Sequence, residues 1–174
     1  MLDKRHTGRL AWKQLGNLWR RTMATVHDVA AAVLDRTGPI TSMKLQKLVY
    51  YTLAWHAVWD DEALFPERFQ AWRNGPVCRE LYELHKGQFQ VSTWKYGHPE
   101  TLEGNQIESI DVVVQTYGQL SAQQLSDLTH SERPWVEARG GLSPDDSSSV
   151  EISLESMVGY YSSLTERGVE IVPD

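Results

Sequence analysis

The sequence predicts a mainly α-helical, compact single domain of six to seven short helices around a central apolar helix at residues 43–59. A small β element is predicted near residues 65–73. Three observations lead to this fold class. The length of 174 residues suits one domain, apolar residues recur at helical spacing along most of the chain, and only one short stretch alternates as a strand does.

The first helix is predicted to begin at Thr25, because Thr25 and Asp28 have the spacing of a capping box. Apolar residues at helical spacing follow it, and Gly38-Pro39 predicts its end. These signals place the start of the folded domain close to residue 24.

The central helix is predicted from the segment MKLQKLVYYTLAWHAVW at residues 43–59, with Thr41 or Ser42 as its N-cap. Its only charged residues are Lys44 and Lys47. A helix that is apolar on nearly every side is buried on several sides. The segment is shorter than the roughly 18 apolar residues of a membrane span, so we expect a core helix.

A strand is predicted next, because residues 68–73 (RFQAWR) alternate polar and apolar side chains. Asn74-Gly75 is a turn signal. Pro76 suits the first position of a helix, where its missing N–H is not needed. A third helix is therefore predicted to begin there and to end at Gly87.

The second half of the chain is predicted to be helical, except in residues 87–104, which are turn-rich and receive no assignment. Apolar spacing from Ile107 to Tyr117 predicts a fourth helix. Ser121 and Gln124 form another capping box, which predicts the start of a fifth helix.

The last third of the chain is predicted to begin with a single short helical turn, from Pro134 to Gly140. The segment GGLSPDDSSS that follows is a solvated loop by composition. A final helix spans residues 154–164, and residues 166–174 are expected to be a tail or one further strand.

Charge divides the chain into two parts. Residues 1–22 carry six lysines and arginines and one aspartate, a net charge of +5, whereas the rest carries eleven basic and twenty-two acidic residues, a net charge of −11. Because DNA affinity depends on Lys and Arg, the acidic body is not expected to bind nucleic acid. The basic segment is either an amphipathic helix, with Trp12, Leu15 and Trp19 on one face, or a frayed extension upstream of Met23.

The sequence contains no recognisable catalytic, cofactor or metal motif, so we expect no enzyme. No two histidines have the spacing that places two ligands on one helix face, and His56 is expected to be a hydrogen-bonded core residue. The single cysteine, Cys78, is expected to be buried and fits a reducing cytoplasm. His130, Ser131 and Glu132 are adjacent, so they cannot form a catalytic triad among themselves. We favour a helix-to-helix corner there, with Ser131 or Arg133 near the cap and Trp135 filling the core. A soluble, cytoplasmic protein without a signal peptide is predicted.

Most tryptophans of the domain are expected to lie in the core. Any that reach the surface are natural anchors for a partner, because aromatic residues dominate interface hot spots. The segment around Trp72 and the segment from His130 to Trp135 are expected to reach the surface, since loops and helix starts do so readily. The candidate partner-binding residues are Trp12, Trp19, Arg20, Trp72, Asn74, Pro76, His130, Glu132 and Trp135.

Several motifs, in order, resemble the Panacea domain of SocA-like antitoxins. They are KLQKLVYYTLAWH at 44–56, FQAWRNGPV at 69–77 followed by LYEL at 81–84, LSDLTHSERPWVEAR at 125–139, and ISLESMVGYYSSL at 152–164. The resemblance covers residues 24–165, and it leaves out the N-terminal extension at 1–22 and the C-terminal tail at 166–174.

The resemblance implies a prokaryotic or phage antitoxin that is encoded beside a toxin and neutralises it by direct binding. It implies no catalytic residues. The founding member of the family is described as an adaptor that delivers its toxin to a Clp-type protease. That role, or a regulator whose basic N-terminal arm contacts DNA, remains an alternative. A homodimer is also open.

Overall fold

The computed structural model describes residues 23–168, and within them the protein is mainly α-helical, as predicted. Its helices are α1 (Val26–Thr37), α2 (Ser42–Asp60), α3 (Arg79–His85), α4 (Gly104–Tyr117), α5 (Ala122–Ser131), α6 (Arg133–Arg139) and α7 (Leu154–Glu166). Its strands are β1 (Ile40–Thr41), β2 (Phe69–Trp72), β3 (Gly75–Cys78), β4 (Gln90–Val91) and β5 (Glu151–Ile152). A single 3-10 turn, Pro99–Thr101, precedes α4.

The predicted starts of α1 and α5 are confirmed by their cap hydrogen bonds. The Thr25 hydroxyl accepts from the Asp28 amide at 3.2 Å, while the Thr25 amide donates to the Asp28 carboxylate at 2.8 Å. Ser121 and Gln124 form the same reciprocal pair at the start of α5. Each pair satisfies backbone donors that the first helical turn leaves unpaired.

Helix α2 is buried along most of its length. Every residue from Leu45 to Ala57 is buried, and α2 is N-capped by the Thr41 hydroxyl. Helices α1, α4, α5 and α7 and strand β3 all pack against it, which explains why its sequence is apolar on nearly every side. No helix in residues 23–168 combines the length and hydropathy needed to cross a membrane.

The β element is larger than the sequence predicts. Strands β2 and β3 form an antiparallel hairpin in which Phe69 pairs with Cys78 and Trp72 with Gly75. Strand β5 pairs with the other side of β2, with Phe69 opposite Ile152. A separate two-residue pairing joins β1 to β4 and ties part of the segment 87–104 to the start of α2.

The predicted start of the third helix at Pro76 is wrong. Pro76 and Val77 belong to β3, and α3 begins only at Arg79. Strand β3 is an edge strand of the order β3-β2-β5, and an edge position tolerates a residue without an N–H. Pairing with β2 therefore outweighs the local preference of proline for a helix start.

One further assignment changes. The stretch predicted to be a single turn from Pro134 is a seven-residue helix, α6. Residues 87–104, to which the sequence assigns no structure, contain β4 and the 3-10 turn. The predicted final helix is α7, which ends at Glu166. Of the expected tail, residues 169–174 lie outside the described part of the chain.

The segment before α4 packs closely against the start of α1. The His98 amide donates to the Asp28 carboxylate at 2.6 Å. A Cβ added to Gly97 would lie 2.0 Å from the His27 carbonyl oxygen. The backbone of the segment can therefore approach α1 only because residue 97 has no side chain.

We expect Gly97→Ala to lower the free energy of unfolding by about 1–3 kcal/mol, since the backbone of α1 cannot move aside as a side chain would. Gly104→Ala is the matched control, because a Cβ at Gly104 meets nothing within 4 Å. Urea denaturation of both variants tests this prediction. Equal stability of the two would show that the contact at Gly97 is not tight.

Candidate functional site

The two sequence segments that contain the candidate anchors lie side by side in the fold. The Trp135 indole N–H donates to the Trp72 carbonyl oxygen at 2.9 Å, and the Ser126 hydroxyl donates to the Asn74 carbonyl oxygen at 2.9 Å. The hairpin turn at residues 73–74 is thus held against α5 and α6.

The exposure of the candidate residues differs from the expectation. Trp72 and His130 are half-buried and Asn74 is exposed, whereas Pro76, Glu132 and Trp135 are buried. Trp135 retains 7% of its accessible surface and stacks on His130 with ring centroids 4.1 Å apart. Trp135 therefore fills the core at this helix-to-helix corner, as the favoured interpretation of the sequence predicts, and its ring is not an exposed anchor. Trp12, Trp19 and Arg20 lie outside the described residues.

Glu132 belongs to a buried hydrogen-bond network. Its carboxylate accepts from the Tyr161 hydroxyl at 2.6 Å and from the Tyr51 hydroxyl at 3.0 Å. Burial raises the pKa of Glu132 to about 7, although both hydrogen bonds oppose that shift. The side chain joins the boundary between α5 and α6 to α2 and α7, which is a structural role.

A cleft of about 720 Å³ opens beside the hairpin turn. Its walls come from the first turns of α2, from β2 and β3, from α3 and from residues 147–149 of the loop before β5. Trp72 and Tyr82 contact each other edge to face, with centroids 4.8 Å apart, and both line the cleft. Of the candidate residues, Trp72 and Asn74 reach this cleft.

Lys47 lies in the wall of the cleft and is fully buried. Its ammonium group donates to the Pro76 carbonyl oxygen at 3.0 Å, and no carboxylate in residues 23–168 forms an ion pair with it. Burial lowers the pKa of Lys47 to about 7, since a charged amine in an apolar surrounding is costly. Close to neutral pH, Lys47 therefore changes its charge.

Gly75 provides the space for this lysine. A Cβ at Gly75 would lie 2.5 Å from Lys47 Cε and 2.8 Å from the Thr129 hydroxyl, and the residue has φ of +104°. Both the backbone conformation and the contact favour glycine here. The turn signal Asn74-Gly75 in the sequence thus also has a packing role.

Gln46 holds strand β3 against α2. Its amide accepts from the Cys78 N–H at 2.8 Å and donates to the Cys78 carbonyl oxygen at 3.1 Å. The same amide nitrogen is 2.9 Å from Nε2 of His85, another cleft residue. These bonds satisfy the backbone of an edge strand that has no neighbour on that side.

The lining of the cleft is cationic, although the body of the protein is acidic. Lys47, Arg73 and Arg79 line it, and no aspartate or glutamate does. Residues 23–168 as a whole contain eleven lysines and arginines and twenty aspartates and glutamates. The cleft is therefore a local positive region on a negative surface.

The remaining reactive groups have structural surroundings. Burial raises the pKa of the Cys78 thiol to about 12, so that the sulfur stays protonated at neutral pH. His56 is buried and hydrogen-bonded to Ser109 at 2.8 Å, as predicted. No group of three His, Cys, Asp or Glu side chains in the described part of the chain could hold a metal ion.

One comparison with known proteins found a match. The family model for the antitoxin SocA-like, Panacea domain matches residues 45–136, which is more than half of the chain. The protein belongs to the SocA-like antitoxin family. No curated protein and no solved structure matched the chain. The matched region contains α2, the hairpin, α3, α4 and α5, and thus most of the Panacea-domain residues that line the cleft.

Sequence reasoning missed several cleft residues, among them Gln46, Lys47, Arg79, Tyr82 and His85. One signal for Lys47 was present, since a single charge within an otherwise apolar helix face needs a special environment. No pattern in the sequence indicated that Arg79, Tyr82 and His85 line a cleft, because a short helix of mixed polarity is typical of an ordinary surface helix.

We expect Lys47→Met to stabilise the protein most at low pH. The pKa of Lys47 is lower in the folded state, so the unfolded chain binds more protons between about pH 7 and 10.5, and wild-type stability gains up to about 1.4 kcal/mol per pH unit there. Methionine removes this pH dependence of the stability and the cost of the buried charge.

Urea denaturation at pH 6.5 and pH 9 checks the prediction. The difference in unfolding free energy between Lys47→Met and the wild type should be smaller at pH 9, and an equal difference at both pH values would contradict the prediction.

We expect Tyr161→Phe to destabilise the protein more at pH 8 than at pH 5. The pKa of Glu132 is higher in the folded state, so wild-type stability falls as pH rises from about 4.5 to 7. Above pH 7 the buried carboxylate is ionised, and the hydrogen bond from the Tyr161 hydroxyl stabilises its charge. The loss should be about 1–3 kcal/mol at pH 8. Thermal or urea denaturation measures it, with Tyr160→Phe as the control, since the half-buried neighbouring ring packs beside Tyr161. An equal loss at both pH values would argue against ionised Glu132.

Proposed function

We propose that this chain is an antitoxin that neutralises a cognate protein toxin, encoded by a neighbouring gene, by binding it directly. The observation that carries the proposal is its membership of the SocA-like antitoxin family, which indicates an antitoxin role in general. The partner, the mechanism and a cytoplasmic location are parts of the proposal.

The packing supports a functional unit larger than the matched region. Helices α1 and α7 lie largely or wholly outside residues 45–136, yet both pack against α2. Without them, the apolar faces of α2 toward these helices would be exposed to water. We therefore assign the domain to residues 24–165, with residues 1–22 as a separate basic extension.

Direct binding is favoured over chemistry because three of the groups with a shifted pKa are bonded within the packed interior, away from the cleft. The Cys78 thiol, the Glu132 carboxyl and the His56 imidazole each bond to residues of the fold. The exposed features of the hairpin region, such as Arg73 and Asn74, are suited to contact with another macromolecule.

Co-expression with the neighbouring gene product tests the proposal. We expect the neighbour alone to stop growth, and this chain to restore growth and to co-purify with the neighbour, because a neutralising complex removes free toxin. Growth curves and affinity purification measure both. A harmless neighbour would contradict the antitoxin assignment.

The same experiment separates the mechanisms. Restored growth with loss of the neighbour from the lysate, dependent on a Clp-type protease, would show a proteolytic adaptor. A chain that lacks residues 1–22 is the matched variant: loss of toxin binding would assign the basic arm to neutralisation, whereas loss of protease or DNA contact alone would assign it to regulation.

A further inference from the structure

The cleft beside the hairpin turn has a charge opposite to that of its surroundings. Arg73 is exposed and forms no ion pair within residues 23–168, while Arg79 has one exposed contact, 3.7 Å from Glu83. Three cations line a cleft that has no aspartate or glutamate, in a domain with an excess of nine acidic residues. Repulsion among these like charges has a cost in free energy.

Lys47 strengthens the positive potential from beneath the surface. It is fully buried and is bonded only to the Pro76 carbonyl oxygen within the described residues, so its charge is poorly screened by water. Glycine at position 75 leaves the space that this side chain occupies. The buried charge lowers the stability of the fold, but it would attract an anion that enters the cleft.

The walls also offer apolar and hydroxyl groups. Met43, Val77, Trp72 and Tyr82 line the cleft together with serines 147–149. Next to it, Phe89 is 83% exposed, and its backbone carbonyl accepts from the amide of Ser42, a cleft residue. An exposed aromatic ring next to a partly apolar cleft is typical of a protein interface.

We propose that this cleft receives an acidic, partly apolar peptide segment of the protein partner, with carboxylates facing Arg73 and Arg79. A peptide carries its charges at intervals between apolar side chains, which matches a lining that contains both cations and aromatic rings. A nucleic acid carries continuous phosphate charge, and the acidic body would repel the phosphates beyond the cleft. The identity of the partner as a toxin rests on the proposed function.

The test uses the full chain with both arginines reversed, Arg73→Glu and Arg79→Glu together. The matched control is Arg68→Glu, an exposed arginine that lies outside the cleft and against a second, smaller cavity. Co-purification and titration with the neighbouring gene product should show at least a roughly tenfold loss of affinity in the double variant. The control should stay within about twofold of wild type, since it keeps the cleft intact.

A second probe does not depend on the toxin. A short labelled peptide of alternating glutamates and leucines should bind the wild-type chain, and the same peptide with lysines should not. Binding should be lost in the double variant and kept in the control, as measured by fluorescence anisotropy. Circular dichroism and urea denaturation confirm that each variant is folded.

The outcomes separate this inference from the proposed function. If the neighbour is harmless but the acidic peptide binds the cleft, the antitoxin proposal fails and the inference stands. If the double variant binds the toxin as tightly as wild type, the inference is overturned and the antitoxin proposal stands. Displacement of the peptide by an equal concentration of inorganic phosphate would also overturn it, because the cleft would then be a small-anion site.

The pH dependence gives a further readout. An anion in the cleft favours the charged form of Lys47, so peptide affinity should fall between pH 7 and pH 9 in the wild type and change less in Lys47→Met. The titratable groups that interact electrostatically with Lys47 are His85 on α3 and His130 on α5, whose pKa values are lowered, chiefly through burial. Arg73 and Arg79 line the same cleft. These histidines titrate below that window. A steady affinity across the window would overturn the role of Lys47.

Discussion

The burial of α2 on every side is the constraint on which the rest of the structure depends. Among its thirteen consecutive buried residues are the polar side chains Gln46, Lys47, Thr52 and His56. A buried polar group without a partner is costly, so each of these must meet an acceptor or donor. Thr52 bonds within the helix, to the Leu48 carbonyl oxygen, and the other three bond to a different element.

Each of those bonds positions a part of the fold. Gln46 and Lys47 hold β3, and His56 holds α4 through Ser109. Tyr51 reaches Glu132, which in turn accepts from Tyr161 of α7. Directional bonds in a dry interior specify one arrangement more sharply than apolar contacts do. The polar residues of α2 thus place the hairpin, and with it the cleft, on one side of the helix.

This arrangement connects stability to function. Glu132 and Lys47 both have pKa values near neutrality because they are buried, yet they differ in their partners. Glu132 has two tyrosine hydroxyls, so its cost is offset within the fold. Lys47 has one backbone carbonyl, and its remaining donors have no partner among the described residues. Because Lys47 has no accessible surface, an anion in the cleft would stabilise its charge only through space.

Sequence patterns alone predicted the helical class, the capped starts of α1 and α5, the apolar core helix whose residues 45–57 are buried, and the family of the protein. These features depend on short-range spacing or on motif order, which a single chain displays directly. The three-dimensional fold was needed to show that Pro76 lies in a strand, that Glu132 is buried, and that Lys47, Arg73 and Arg79 share one cleft. Those outcomes depend on contacts between residues far apart in the chain, such as Lys47 with Pro76 and Tyr51 with Glu132, and no local pattern records such contacts.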